Sequence, residues 1–273
     1  MHLLLALVAG ALIGLSLGAL GGGGSILAVP VLVHLLGQTP AQATTGSLVV
    51  VGVTALIGAA TAHRAGHVLL GRGLAFGTVA LGGATFGALA AARVSDAVLM
   101  AVFSVLMLVV GAVMGLRLVR ERRGTARTTP PTGLDAPIIT FSPTFACQCP
   151  RALKVLVTAT AVGLLTGFLG VGGGFLVVPA LLLALAMPLP YAAGTSLVVI
   201  AVTSTTALAV RTGSGVAPDW WLVSALTVAS VVAAVLGARL AARTDTRRLT
   251  AGFTGLVLVV AAYTATQALP AIL

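Results

Sequence analysis

The sequence predicts an all-α integral membrane protein. It reads as a polytopic helical bundle of about 8–10 transmembrane segments, built from two inverted repeats with broken or re-entrant glycine-rich helices. Three observations predict it. The chain of 273 residues is 59% hydrophobic and only 7% charged, where a soluble domain carries about 25% charged residues. Its apolar runs are mostly about 18–22 residues long, the length of a spanning helix rather than of a ten-residue alternating strand. One stretch is also written twice. Gly21 to Pro30 returns as Gly170 to Pro179 at a constant offset of 149 residues, with six of ten positions identical.

The apolar segments run over 2–20, 25–37, 44–62, 73–92 and 97–119, then over 153–169, 174–187, 192–210, 220–241 and 248–268. This divides the chain into a first transmembrane repeat (1–120), a cytoplasmic Pro-rich linker (121–150) and a second transmembrane repeat (151–273). Met1–Leu20 has no Lys or Arg before its apolar run and leads into the glycine element, so it reads as a retained span. Segments 25–37 and 174–187 are short, covering roughly 18–21 Å against a hydrocarbon core of ~30 Å. Each follows three or four glycines and carries a proline, Pro30 or Pro179. They are short tilted spans, halves of broken helices, or re-entrant segments, and hydropathy does not choose among these. The linker holds Pro130, Pro131, Pro137, Pro143 and Pro150 and reads as a water-exposed connector. Its Cys147 and Cys149 form a C-x-C pair, too close for an easy disulfide and two ligands short of a structural zinc site.

The net charge of +10 comes from arginines set between the apolar runs. In a membrane chain that is a topology signal, and no aromatic residues interleave with them as nucleic-acid binding would need. The basic linker should be cytoplasmic. The loop with Arg64 and Arg72 is basic where its counterpart (Arg211, Asp219) is neutral, and the loop with Arg93 and Asp96 is neutral where its counterpart (Arg239, Arg243, Arg247, Arg248) is basic. A bias that swaps sides between copies is the expectation for inverted repeats with an odd number of crossings, which favours five plus five over a parallel four plus four.

All five acids (Asp96, Glu121, Asp135, Asp219, Asp245) lie outside the predicted spans. That argues against a carboxylate proton relay. There is no zinc-protease motif, no complete P-loop and no convincing nucleophile–base pair, so no enzyme and no cofactor or metal is expected. The glycine elements either carry the chemistry instead or only permit tight helix packing. A helix that restarts after glycine presents unpaired N–H groups and the positive end of its dipole. Two such starts, brought together near the midplane, make an anion site that needs no lysine. The candidates are Gly21, Gly23, Gly24 and Ser25 in one copy, and Gly170, Gly172, Gly173 and Gly174 in the other. A second repeated patch adds hydroxyls: Thr45 and Ser47 at one span start, Thr195 and Ser196 at the other. These either bind oxyanion oxygens or cap and pack helices. Gln42, whose counterpart is Tyr191, is a further polar candidate. His34 in a short apolar segment is a candidate for coupling, and His63 and His67 read as loop residues. Arg64 and Arg211 stand at equivalent span ends, either as interfacial anchors or as anion-drawing mouths.

A glycine element, an apolar run and a proline, followed by a Thr/Gly/Ser-Leu-Val stretch, all twice, resembles the sulfite exporter TauE/SafE family, also called the toluene sulfonate uptake permease family. The resemblance covers essentially the whole chain except 121–150. It implies a plasma-membrane transporter of bacterial type for small sulfur-containing anions such as sulfite, sulfoacetate and related organosulfonates. Transferred by matching position, it marks Gly21, Gly23, Gly24, Pro30 and Ser47, and Gly170, Gly172, Gly173, Gly174, Pro179 and Ser196.

The expected function is therefore a secondary transporter that moves a small sulfur oxoanion by alternating access, preferentially outward. An anion channel and a membrane scaffold without transport activity are the alternatives. The expected partners are a small anionic substrate, the lipid bilayer and, as an option, a second copy in a homodimer, with no nucleic acid.

Overall fold

The computed structural model describes residues 2–91, 102, 105–106, 108–116, 119, 149–169, 174–183, 185, 187–211, 218–245, 248–255 and 257–259. Among these there is no strand. Eight helices are labelled here: α1 (His2–Leu20), α2 (Gly23–Pro30), α3 (Pro40–Arg64), α4 (Leu70–Ala91), α5 (Cys149–Leu169), α6 (Gly174–Leu183), α7 (Leu189–Arg211) and α8 (Trp220–Ala242). Residues 108–116 and 248–255 are helical as well. Among the described residues three stretches, Gln42–Arg64, Leu189–Ala209 and Trp220–Ala242, are long and apolar enough to cross a membrane. Cys147, Gly170, Gly172, Gly173 and the linker up to residue 148 lie outside the described residues.

Local chemistry sets the ends of the helices. Thr39 caps α3 through a reciprocal box with Gln42, and Pro40 occupies the first turn, where its missing N–H costs nothing. The helix closes in a Schellman turn at Gly66 (φ +75°): Gly66 N–H donates to the His63 carbonyl and His67 N–H to that of Ala62. Asp219 caps α8, its carboxylate accepting from the amides of Trp221 (3.0 Å) and Leu222 (3.4 Å). Trp220 and Trp221 beside it are exposed, as interfacial aromatics are. After Pro30 the helix widens into a π-helical segment, Val31–Leu35. Proline supplies no N–H and its ring displaces the carbonyl four residues back, which favours such a local change of register.

The sequence reading started the third and eighth apolar segments at 44 and 192. The helices begin at Pro40 and Leu189 instead. The prolines at 40 and 190 open these helices rather than exclude them.

Helices meet backbone to backbone. Gly10, Gly14 and Gly18 of α1 face Leu226, Ser230 and Ala234 of α8 in parallel register. A Cβ built on Gly14 or Gly18 would fall on the carbonyl of Ser230 or Ala234. On the other side of the bundle, Gly163 and Gly167 of α5 face Ala80 and Ala84 of α4 in the same way. Gly237 meets the Leu15 backbone, and Gly87 meets that of Leu164. Adding 149 to the α1 numbers gives the α5 numbers, and adding 150 to the α4 numbers gives those of α8. Between these pairs, α3 and α7 run antiparallel, with Gly58 against Leu197 and Gly52 against Ser204. The Ser230 hydroxyl donates to the Gly10 carbonyl at 2.9 Å, tying α8 to α1. Two buried clusters fill the remaining space. Ile13, Leu17, Leu32 and Leu226 belong to one, and Phe76, Met114, Leu181 and Phe253 to the other, so each draws on both halves of the chain. Outward faces carry exposed Leu4, Leu12, Phe86, Val228 and Leu236, as lipid-facing surfaces do.

Two adjacent glycines on α4 test this packing. A Cβ at Gly83 would meet the Thr160 carbonyl at 2.5 Å and the Leu164 nitrogen at 2.9 Å, whereas one at Gly82 would meet nothing within 4 Å. Gly83→Ala is expected to lower stability by about 1–3 kcal/mol. Gly82→Ala should leave it unchanged or raise it, by up to about 1 kcal/mol from helix propensity. Thermal unfolding of the two purified variants in detergent checks the contrast.

Candidate functional site

The first glycine element breaks the helix inside the protein. α1 stops at Leu20, and the chain turns at Gly21 (φ +77°) and Gly22 before α2 begins. α2 then folds back along α1, so that Gly24 lies beside Ile13, Ser16 and Leu17. Residues 21–25 are all buried. Only glycine fits at 21. The positive φ disfavours any side chain, and a Cβ there would strike the Ala193 backbone of α7.

The starts of α2 and α6 are in contact. A Cβ on Gly22 would fall on the Gly174 carbonyl and lie 3.0 Å from Val178 Cγ2. One on Gly174 would lie 2.9 Å from Ser25 Oγ and 2.7 Å from Ile200 Cδ1. Ser25 N–H donates to the Gly22 carbonyl at 3.3 Å, and the Ser25 hydroxyl donates to the same oxygen at 2.7 Å. The amides that precede it at the α2 start have no intrahelical acceptor. They lie at the positive end of the α2 dipole, and no acidic side chain lies in that helix's first turn. Gly21, Gly24, Ser25 and Gly174 are thus brought together, with Gly23 at the head of α2. Gly170, Gly172 and Gly173 lie outside the described residues.

The hydroxyl candidates divide. Ser196 is fully buried and its hydroxyl lies 2.7 Å from the Ala193 carbonyl and 3.1 Å from that of Gly21, so it joins α7 to the glycine turn. Ser47 makes the equivalent local bond, donating to the Thr44 carbonyl at 2.9 Å. Thr195 is buried and accepts from Leu69 N–H at 3.2 Å, fixing the approach to α4. Thr45 is buried on α3. Gln42 sits in the α3 cap, its Oε1 accepting from Thr39 N–H at 3.3 Å. That Thr39-x-x-Gln42 spacing is a local signature readable from sequence. His34 lies in the π-helical segment, and its side chain is outside the described residues. Sequence reasoning missed Ala193, the residue that packs on Gly21. Nothing distinguishes this alanine in the sequence except its position three before Ser196.

A cavity of about 450 Å³ lies beneath this turn. Gly18, Ala193 and Leu197 are among its lining residues, as are Arg64, His67 and Arg239. Both arginines are exposed. The His67 ring meets Tyr191 edge-on, centroids 5.6 Å apart at 86°. Among the described residues there is no group of His, Cys, Asp or Glu able to hold a metal ion.

Gly21→Ala and Gly37→Ala separate strain from collision. Both glycines have positive φ (+77° and +66°), but a Cβ at Gly37 would meet nothing within 4 Å. Each substitution should cost about 1–2 kcal/mol of backbone strain. Gly21→Ala should cost roughly 1–3 kcal/mol more from overpacking against Ala193. The difference in thermal midpoint between the two variants measures the collision.

A family model described as "Sulfite exporter TauE/SafE" matches residues 6–264. Two relatives, each named "Probable membrane transporter protein", come from Xylella fastidiosa strains Temecula1 and 9a5c. Each is 34% identical over 199 residues, covering 72% of this chain and 69% of the relative. No solved structure matches the chain. With a multi-pass helical fold and a match over nearly its whole length, the chain belongs to the sulfite exporter TauE/SafE family of membrane transporters.

Proposed function

We propose that this protein is a secondary transporter that carries a small sulfur-containing oxoanion, sulfite or an organosulfonate such as sulfoacetate, outward across the plasma membrane. The observation that carries the reading is the contact between two buried helix starts, α2 and α6, at Gly22, Ser25 and Gly174. Helix starts bind anions through free amides and the positive dipole end, without a counter-charge that lipid would penalise. The absence of acids from the predicted spans suits an anion substrate. The family's described activity supports sulfur chemistry.

Alternating access is supported by the packing. α3 and α7 correspond at an offset of 149 residues and run antiparallel, and the α1–α8 contact has its counterpart in α4–α5. Two halves related in this way give a pseudo-two-fold arrangement in which one half rocks against the other. Outward movement of an anion needs no coupling ion, because an inside-negative potential favours it by about 2.3 kcal/mol per charge per 100 mV.

Flux into and out of proteoliposomes tests the reading. Sulfite, sulfate, thiosulfate and sulfoacetate are compared, and sulfite or sulfoacetate is expected to move. The flux should saturate and should accelerate with substrate on the opposite side, as a carrier's does. Ser196→Ala removes a bond worth about 1 kcal/mol between α7 and the glycine turn, and it should change transport about fivefold. Ser47→Ala removes a bond to the Thr44 carbonyl of its own helix and should change transport less. Absence of flux for every sulfur oxoanion sinks the proposal, and unitary currents without counterflow replace the carrier with a channel.

A further inference from the structure

We infer that the cavity beneath the glycine turn is a cytoplasmic antechamber for anions, with the guanidinium groups of Arg64 and Arg239 as its recruiting pair. The inference rests on the anion-transport reading for what passes through, but not for the antechamber itself. Arg64 ends α3 in the first half of the chain and Arg239 lies in the last turn of α8 in the second, 175 positions apart in sequence. The fold brings both to one cavity. Among the described residues no Asp or Glu lines it, and no carboxylate pairs with either guanidinium. Asp245, one residue beyond the lining Thr244, is exposed and outside the lining.

Simple membrane anchoring explains an arginine that points along a helix end into headgroups. It does not explain two cations, one from each half, around a common hollow. At about 450 Å³ the hollow falls within the range of about 300–1,000 Å³ typical of small-molecule sites. A cleft lined by one sign of charge with low-dielectric walls concentrates counter-ions. The lining includes Ala193, which packs on Gly21, so an anion gathered here waits next to the glycine turn. Arginine-bearing loops of short length lie on the cytoplasmic side, and the loops after α3 and α8 are both of this kind. Trp220 and Trp221 lie at the opposite end of α8 from Arg239. The cavity therefore opens to the cytoplasm, the side from which an exporter must load.

Charge-selective thiol labelling tests this without any assumption about the transported species. In a Cys147→Ser, Cys149→Ser background, Leu197→Cys reports the cavity wall and Ala65→Cys its neighbourhood at the α3 terminus. Oppositely oriented membrane vesicles are treated with anionic sulfonatoethyl or cationic trimethylammonioethyl methanethiosulfonate. The anionic reagent is expected to react faster than the cationic one, from the cytoplasmic face. Arg64→Gln with Arg239→Gln should reduce that preference by at least about tenfold. Arg64→Lys with Arg239→Lys should retain most of it, and raised salt should weaken it. An unchanged preference after both glutamine substitutions overturns the recruiting pair. Reactivity confined to the outer face, or absent at both reporters, overturns the antechamber. Charge-selective labelling without oxoanion flux leaves the antechamber standing and defeats the transport reading instead.

Discussion

Helices in this protein approach until an added methyl group on one backbone would land on the carbonyl of the next, and the rest of the structure depends on that closeness. Lipid gives no hydrophobic drive for one helix to join another, so association draws on dispersion contacts and on what small residues permit. The α1–α8 and α4–α5 seams supply this twice, through Gly14 and Gly18 in one and Gly163 and Gly167 in the other. Each seam joins a helix from one half of the chain to a helix from the other. The halves are therefore interlocked at their flanks, with α3 and α7 enclosed between them.

Enclosure is what allows an irregular turn at depth. Non-helical backbone is tolerated inside a membrane protein only where protein or water satisfies its polar groups. The Gly21 carbonyl receives the Ser196 hydroxyl and the Gly22 carbonyl receives that of Ser25. Both oxygens are thereby answered, while the first amides of α2 have no helical acceptor. The asymmetry has a chemical consequence. A serine has one proton to give, and in this conformation Ser196 gives it to backbone carbonyls rather than to a guest. In the proposed transporter, recognition of an anion would then fall on the amides and the dipole, with Ser196 holding the turn that presents them.

Much of this was legible in the sequence. The run of glycines from Gly21 to Gly24 marked where the first helix breaks, because consecutive glycines are poor helix formers. Composition alone identified the solvent as lipid. Other features were legible but went unread. Gly10, Gly14 and Gly18 recur every fourth residue on one face, a packing stripe visible without coordinates. The Thr39–Gln42 cap and the first-turn prolines placed the starts of α3 and α7 earlier than hydropathy did. Some features lie beyond sequence reasoning. The widening at Val31–Leu35 follows from how Pro30 is accommodated in three dimensions. The role of Thr195 as acceptor for Leu69, 126 residues away, follows from tertiary contact alone.

The cavity and the helix starts are separated by a thin layer. Ala193 lines the one and packs on the glycine turn that leads to the other, and Ser196 stitches that contact together. A single neutral hydrogen bond of this sort contributes about 1 kcal/mol. Motions of packed helices that break so little occur on the microsecond-to-millisecond scale. A wall this inexpensive to open, yet continuous when closed, is the property that rocking carriers require between a loading vestibule and a central site. Movement in the proposed cycle therefore opens the contact between Ala193 of α7 and the turn at Gly21.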